Sequence, residues 1–360
     1  MKKKILLIGL TLLLAISLVV VGCAKPAPAP APTPTPPPAV EVIKWIGQCE
    51  NPATSPNFIT FERANKKIAE ASGGRLVIES YTGDAIVPAD TEIDGVHKGT
   101  LDVGHGAFNS WSATFPTAPM FTKMVGGPTA LQYYFWYMVG PGLDLAQEML
   151  DAKNYNVMPI AVDAEVPEVF LYTNFPITSS ADLDGKKLRL LGDEAEVFAK
   201  FGVAATATPS GEIYESMSRG VIDGFQHANL ASDWEMGFQE IADYAYLSGV
   251  RQPTDVFVYF VNKDSWAELP DDLKALVQEV YWRSGIRHYA DWTLANTEIA
   301  QKWIDYGGIL ESIPSSVEDD LVAAASAYYA ERAAEDPFFA KVLKSLEDWR
   351  DAYNSAYPRL

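Results

Sequence analysis

Short runs with the two-residue period of strands alternate along the chain with stretches spaced for helices. Val42 to Gly47 reads as a strand, residues 56–72 as a helix stopped by Gly73-Gly74, and Arg75 to Tyr81 as the next strand. Thr91 to Lys98 predicts a short helix ended by Gly99, and Leu101 to Gly104 a buried strand. Residues 128–153 read as helices broken at Gly140-Pro141-Gly142, and Val157 to Val162 and Val169 to Thr173 as extended. This alternation argues for α/β layers.

After Pro270, with Asp271 and Asp272 suited to a helix start, the apolar residues Leu273, Leu276, Val277 and Val280 keep helical spacing, and no proline follows before Asp305. A helix of some 35 residues would be about 50 Å long and should cross more than one lobe. Ser315 and Glu318 fit a capping box for a further helix, and the rest to Tyr357 reads as helical with a break near Pro337. The second half also repeats part of the first. Lys98-Gly99-Thr100-Leu101-Asp102 and Arg219-Gly220-Val221-Ile222-Asp223 match at an offset of 121 residues, each where a short helix hands over to a strand. A cation followed by glycine is ordinary helix-ending chemistry, so two unrelated caps would look the same. The apolar-Asp strand and loop after both favour two related lobes.

The N-terminal segment breaks this pattern. Lys2, Lys3 and Lys4 precede an apolar run from Ile5 to Val21, which ends in Val20-Val21-Gly22-Cys23. That order predicts a secretory signal over residues 1–22, and the Val-Val-Gly-Cys ending looks like a bacterial lipoprotein signal with Cys23 lipidated. An uncleaved transmembrane anchor is the alternative. Pro26 to Pro38 alternates proline with alanine or threonine, so residues 23–40 read as an extended tether of roughly 40 Å at about 3.1 Å per residue. The expected location is the outer face of the cytoplasmic membrane or the periplasm, with the lipid anchor as the only membrane contact.

Removing residues 1–22 takes away three lysines and leaves 25 basic against 47 acidic residues, a net charge of −22 with histidine neutral. Such a surface repels nucleic acid and anionic lipid, so a small anionic ligand would need a local cation to hold it. Individual arginines thereby become informative. The second of two cysteines, Cys49, has no partner for an intrachain disulfide and is expected to be packed. Sequence signatures of zinc proteases, phosphate loops and serine hydrolases are absent by inspection, and the four histidines are scattered, which argues against a metal site built on them.

The most specific stretch lies between Asp182 and Asp233. Gly185-Lys186-Lys187-Leu188-Arg189 puts a cation in a short strand, Pro209-Ser210-Gly211-Glu212-Ile213-Tyr214 opens a helix, and Gly220-Val221-Ile222-Asp223-Gly224 leads into Phe225-Gln226-His227. Ser72-Gly73-Gly74-Arg75-Leu76, Gly99 to Gly104, Trp111 with Phe115-Pro116, Gly237-Phe238 and Val261-Asn262-Lys263 complete the series. Over residues 42–310 this order resembles the solute-binding proteins of tripartite ATP-independent periplasmic (TRAP) transporters.

The resemblance implies a two-lobed α/β periplasmic binding protein, type II-like, with a long helix spanning both lobes. Lobe I is expected over 41–160 plus 231–266, and lobe II over 161–230 plus 267–360. It implies no enzyme and no cofactor, a small organic-acid ligand taken up by lobe closure, and small and large integral membrane components as partners. In the family the arginine at the position of Arg189 grips the ligand carboxylate; a planar guanidinium offers two parallel donors that match one. A structural pair between Arg189 and Asp182, Asp184 or Asp193 is the alternative.

Ligands of open α/β sheets lie off the carboxyl ends of strands, which points to His105–Asn109 after one repeat and Phe225–Asn229 after the other. His105, Asn109, Trp111, Gln226, His227 and Asn229 are therefore candidate contacts. Glu168 lies near where some family members place a ligand-contacting side chain. Some keto-acid and hydroxy-acid binders of the family hold a metal ion with acidic side chains near the positions that are Gln226 and Gln252 here. Neutral amides are weaker partners for a hard cation, so no metal is expected, and a ligand carrying a donor or cationic group besides its carboxylate is a further possibility. Two other classes compete: a sensory ligand-binding subunit, and an exported glycoside hydrolase using two of Asp163, Glu165 and Glu168.

Overall fold

In the computed structural model, which describes residues 42–357, the alternating blocks build two sheets. The strands are β1 (Ile43–Cys49), β2 (Leu76–Tyr81), β3 (Val103–Gly106), β4 (Val157–Ala164), β5 (Val169–Thr173), β6 (Lys187–Arg189), β7 (Ala204–Thr206), β8 (Gly224–Phe225), β9 (Tyr244–Leu247), β10 (Val256–Asn262) and β11 (Ile309–Ser312). The first sheet has the order β2-β1-β3-β10-β4 and the second β11-β9-β5-β8-β6-β7. Residues 1–41, including Cys23 and the proline-rich segment, lie outside the described residues. Among the described residues no helix is long and apolar enough to cross a membrane.

The two sheets share one plan. In each, three parallel strands (β2-β1-β3 and β7-β6-β8) are extended by an antiparallel strand that arrives from the other sheet, β10 in the first and β5 in the second. The repeated sequence motif performs the same task twice. Lys98 and Arg219 cap the helices Glu92–His97 and Ile213–Ser218, and Gly99 and Gly220 take φ of 73° and 67°, a left-handed turn that favours glycine. The aspartate that follows clips the neighbouring strand: Asp102 Oδ2 accepts from Ile46 N at 2.7 Å, and Asp223 Oδ2 from Lys187 N at 2.8 Å.

The exchange of strands fixes where the chain crosses, at residues 165–168 and 248–255. Residues 244–247 thus belong to the second sheet and 161–164 to the first, which corrects the expected lobe boundaries at both places. The crossing segments lie side by side, Glu165 N donating to Asp255 O at 3.0 Å and Glu168 N to Gln252 O at 3.3 Å.

The predicted long helix is Asp271–Tyr306, 36 residues. Its first half packs on β4 and on the helix Pro56–Ala71, where Tyr281 donates to Asn65 Oδ1 at 2.8 Å. Its second half packs on the helix Leu230–Glu235, where Asn296 Oδ1 accepts from Ala231 N at 2.8 Å, and buries Trp303 against Tyr172. It therefore braces both sheets. Gly285, where the helix meets β4, leaves no room for a side chain: a Cβ there would lie 2.3 Å from the Val162 carbonyl oxygen. Gly285→Val should force the helix off the strand and lower stability by about 1–3 kcal/mol, the usual cost of overpacking, read as a fall in the urea midpoint.

The final helices, Ser315–Glu335 and Pro337–Ala356, part at Asp336 as the proline predicts, and Asp336 caps the second through Phe338 N and Phe339 N. The expected capping box does not form. Pro314 takes the cap position, and Glu318 instead accepts from Ser248 Oγ at 2.5 Å.

Candidate ligand-binding site

Arg189 closes β6, and the strand runs directly into Leu191–Glu194, which line a cavity of about 210 Å³. Arg189 is only 4% exposed. Its Nε donates to Thr208 O at 3.0 Å and its Nη1 to Gln226 O at 2.7 Å. Among the described residues it forms no ion pair: Asp182 is taken up by Thr178 and Ser179, and Asp193 by Tyr328 and Arg332. Burial draws its pKa below the usual arginine value even though Glu168 and Glu194 pull the other way. Arg189 is thus a largely desolvated cation held in a fixed pose by two neutral carbonyls.

Arg189 itself is not among the residues that line the cavity; its wall carries three charged residues that sequence reasoning missed, Lys123, Glu194 and Arg251. Arg251, on the second crossing segment, is fully buried between two carboxylates, Nη1 donating to Glu194 Oε2 at 2.7 Å and Nη2 to Glu168 Oε2 at 2.8 Å. Phe170 O and Val169 O take two further donors at 2.8 and 2.7 Å. Gln252 links the group, its Nε2 donating to Glu168 Oε1 at 2.7 Å and its Oε1 accepting from Lys123 Nζ at 2.8 Å. Glu168 is thus held as the partner of Arg251 and Gln252 and does not itself line the cavity. Burial raises its pKa, only partly opposed by the Arg251 and Lys123 charges.

The other candidates divide. Asn109 lines the cavity, and its Oδ1 is shut off from solvent without a partner. Gln226 is buried and meets Arg189 through its main chain. His227 is fixed between Asp233 Oδ1 at 2.6 Å and Ser210 Oγ at 3.1 Å, and Asn229 caps the helix Leu230–Glu235 through Ser232 N. Trp111 is core, packed edge-on to Phe108 and Phe260.

His105 is the clear correction. It is 0% exposed inside the first sheet, stacked among Phe61, Phe257 and Tyr259, with Nε2 on Asp163 at 3.0 Å and Nδ1 at 3.4 Å from Cys49 Sγ. The same contact places Cys49 as a buried free thiol.

The three carboxylates of the hydrolase reading do not converge on one free pair. Asp163 holds His105 and Tyr259, Glu165 holds His288, and Glu168 holds Arg251 and Gln252. His288 ties the long helix to the first crossing segment, with Nε2 on Glu165 Oε1 at 2.9 Å. Burial alone would lower its pKa, but Glu165 outweighs this and lifts it to about 9. The folded state therefore holds a proton that the unfolded state, with pKa near 6.5, releases sooner. Stability from this pair is complete below about pH 6.5 and is lost as pH rises through about 9. The expected result is a lower urea midpoint at pH 9 than at pH 6, with a smaller difference in His288→Asn.

The donor set does not fit a resident metal ion. Among the described residues no three His, Cys, Asp or Glu side chains come together to hold one, and the Gln252 amide oxygen already faces an ammonium.

Against known proteins, residues 47–336 match the family model described as bacterial extracellular solute-binding protein, family 7. The monocarboxylate 2-oxoacid-binding periplasmic protein of Nostoc sp. is 26% identical over 310 residues, covering 86% of this chain and 83% of the relative. A TRAP periplasmic solute-binding protein from Colwellia psychrerythraea, solved with bound calcium and pyruvate, has a TM-score of 0.78 and 28% identity over 88% of this chain and 96% of that one. A counterpart from Pseudoalteromonas atlantica, with bound sodium and pyruvate, has a TM-score of 0.76 and 26% identity over 88% and 96%. These relatives are named for binding and not for catalysis. With the family model spanning most of the chain and two exchanged α/β sheets braced by one helix, the chain belongs to family 7 of the bacterial extracellular solute-binding proteins, the two-lobed TRAP periplasmic binding proteins.

Proposed function

We propose that this chain captures a small monocarboxylate between its lobes, grips the carboxylate with Arg189, and delivers the ligand to membrane permease subunits of a TRAP transporter. The observation that carries the reading is the unmatched charge of Arg189. Nearby, Arg251 and Lys123 are balanced by Glu168 and Glu194, while burial lifts Asp255 to about 8 against the pull of Lys123, so that its carboxyl is largely neutral at pH 7. One positive charge is left over, and it belongs to the group oriented by Thr208 O and Gln226 O. The cavity of about 210 Å³ suits a ligand of few heavy atoms. The 2-oxoacid and pyruvate bound by relatives are acids of that size and charge.

Closure would use the two crossing segments as hinges, since they alone join the sheets besides the long helix and the strand that follows it. Cys23 would carry the lipid, and the proline-rich tether would keep the cleft within reach of the membrane subunits. Native mass spectrometry of protein purified without denaturation tests the reading. The expected species is one small acid per chain, unmodified. A co-purified ligand without any acidic group would contradict it.

A further inference from the structure

The Arg189 reading leaves open what else holds charge against the ligand, and the following inference rests on that reading. We propose that Lys123 is a second ligand-contacting cation, built into the cavity wall, and that ligand binding by this chain needs no metal ion.

Two cations border the cavity directly, and they differ in what they can still donate. Arg251 has five N–H donors, and all are used: Nε on Phe170 O, Nη1 on Glu194 Oε2 and at 3.4 Å on Gln252 Oε1, Nη2 on Glu168 Oε2 and Val169 O. It has nothing left for a ligand. Lys123 has three donors and one hydrogen-bond partner, Gln252 Oε1 at 2.8 Å; its nearest carboxylate oxygen, Glu194 Oε1, is 3.7 Å away and has no hydrogen bond of its own. The ammonium is therefore positioned by Gln252 but not saturated. Burial would lower its pKa, yet the facing carboxylates, Glu194 first, outweigh that and raise it, so it keeps its charge at neutral pH.

The same network closes the place to a metal. Gln252 Nε2 is committed to Glu168 Oε1 at 2.7 Å, which fixes the amide and turns its oxygen toward Lys123. A hard cation on that oxygen, at the usual 2.3–2.6 Å of calcium, would lie beside both an ammonium and a guanidinium. Glu168 and Glu194 are both engaged by Arg251, and burial lifts the Asp255 carboxyl to about 8. The chain's own ammonium thus occupies the role that a bound cation would have to fill.

The test uses the full chain after treatment with EDTA and dialysis into sodium-free buffer. Adding 1 mM calcium, a concentration of roughly a hundred to ten thousand times the Kd of a sensor-type protein site, is expected to leave the thermal midpoint of the ligand-free protein unchanged. A rise of several degrees would overturn the inference. With pyruvate as probe, calorimetric affinity should agree within about twofold with and without calcium. Lys123→Gln should lose at least about tenfold in affinity at an unchanged thermal midpoint, with no recovery on adding calcium. Affinity that depends on calcium, or a Lys123→Gln variant that binds like the parent, would overturn it. Should no acid bind the parent protein with or without calcium, the carboxylate reading fails, while the calcium titration of the ligand-free chain still decides the metal question.

Discussion

Replacing Arg189 by alanine is expected to weaken carboxylate binding by roughly 2–5 kcal/mol, or about thirtyfold to several-thousandfold, with little change in thermal midpoint. The asymmetry follows from its surroundings. The guanidinium has no counter-ion among the described residues, so its removal strands no buried carboxylate; only the Thr208 and Gln226 carbonyls lose donors. The fold should tolerate that, while the ligand loses the charge that offsets its own desolvation. Arg189→Lys should also bind poorly. One ammonium cannot hold both carbonyls and still present two parallel donors to a carboxylate. Calorimetry with a binding acid checks both variants, and an alanine variant of unchanged affinity would remove Arg189 from the site.

The second large effect is the reverse case. Arg251→Met should destabilise the protein by about 3–5 kcal/mol, because it leaves Glu168 and Glu194 as buried carboxylates without their cation. The loss should shrink on acidification. Burial already raises the Glu168 pKa, and without Arg251 it rises further, so protonation below neutral pH neutralises the stranded charge. Urea unfolding at pH 7 and pH 5 should show the variant closer to the parent at pH 5. A loss under about 1 kcal/mol, or one that does not depend on pH, would mean that Arg251 does not hold the network together.

The two variants mark what the sequence made legible and what it did not. Elements defined by local periodicity and breakers were readable: the 36-residue helix, the break at Gly140-Pro141, and the repeated cap-and-strand motif. Arg189 stands out in the sequence because a contiguous motif carries it. Arg251 lies in a crossing segment with no periodicity, and its partners Glu168 and Glu194 are 83 and 57 residues away in the chain. Only the exchange of β5 and β10 between the sheets brings them together. The one available signal was charge: in a chain this acidic, an arginine beside Gln252-Pro253 between two strands is as notable as Arg189.

His105 shows how a correct repeat can mislead. The offset of 121 residues pairs it with Gln226, but β8 ends at Phe225, whereas β3 continues through Gly106. Gln226 therefore lies beyond its strand end, near Arg189. His105 lies within its strand, between β1 and β10, where aromatic rings enclose it. The capping box at Ser315 failed for a local reason, since Pro314 supplies the pre-set backbone of the cap and the Ser248 hydroxyl takes Glu318.

The central claim, that a carboxylate is what the cleft recognises, is tested most directly by calorimetric titration of small monocarboxylates alongside their neutral amides. An acid should bind with one site per chain, and its amide at least about a hundredfold more weakly, a difference of about 2.7 kcal/mol. Equal binding of acid and amide, or binding of none of the acids, would contradict the account.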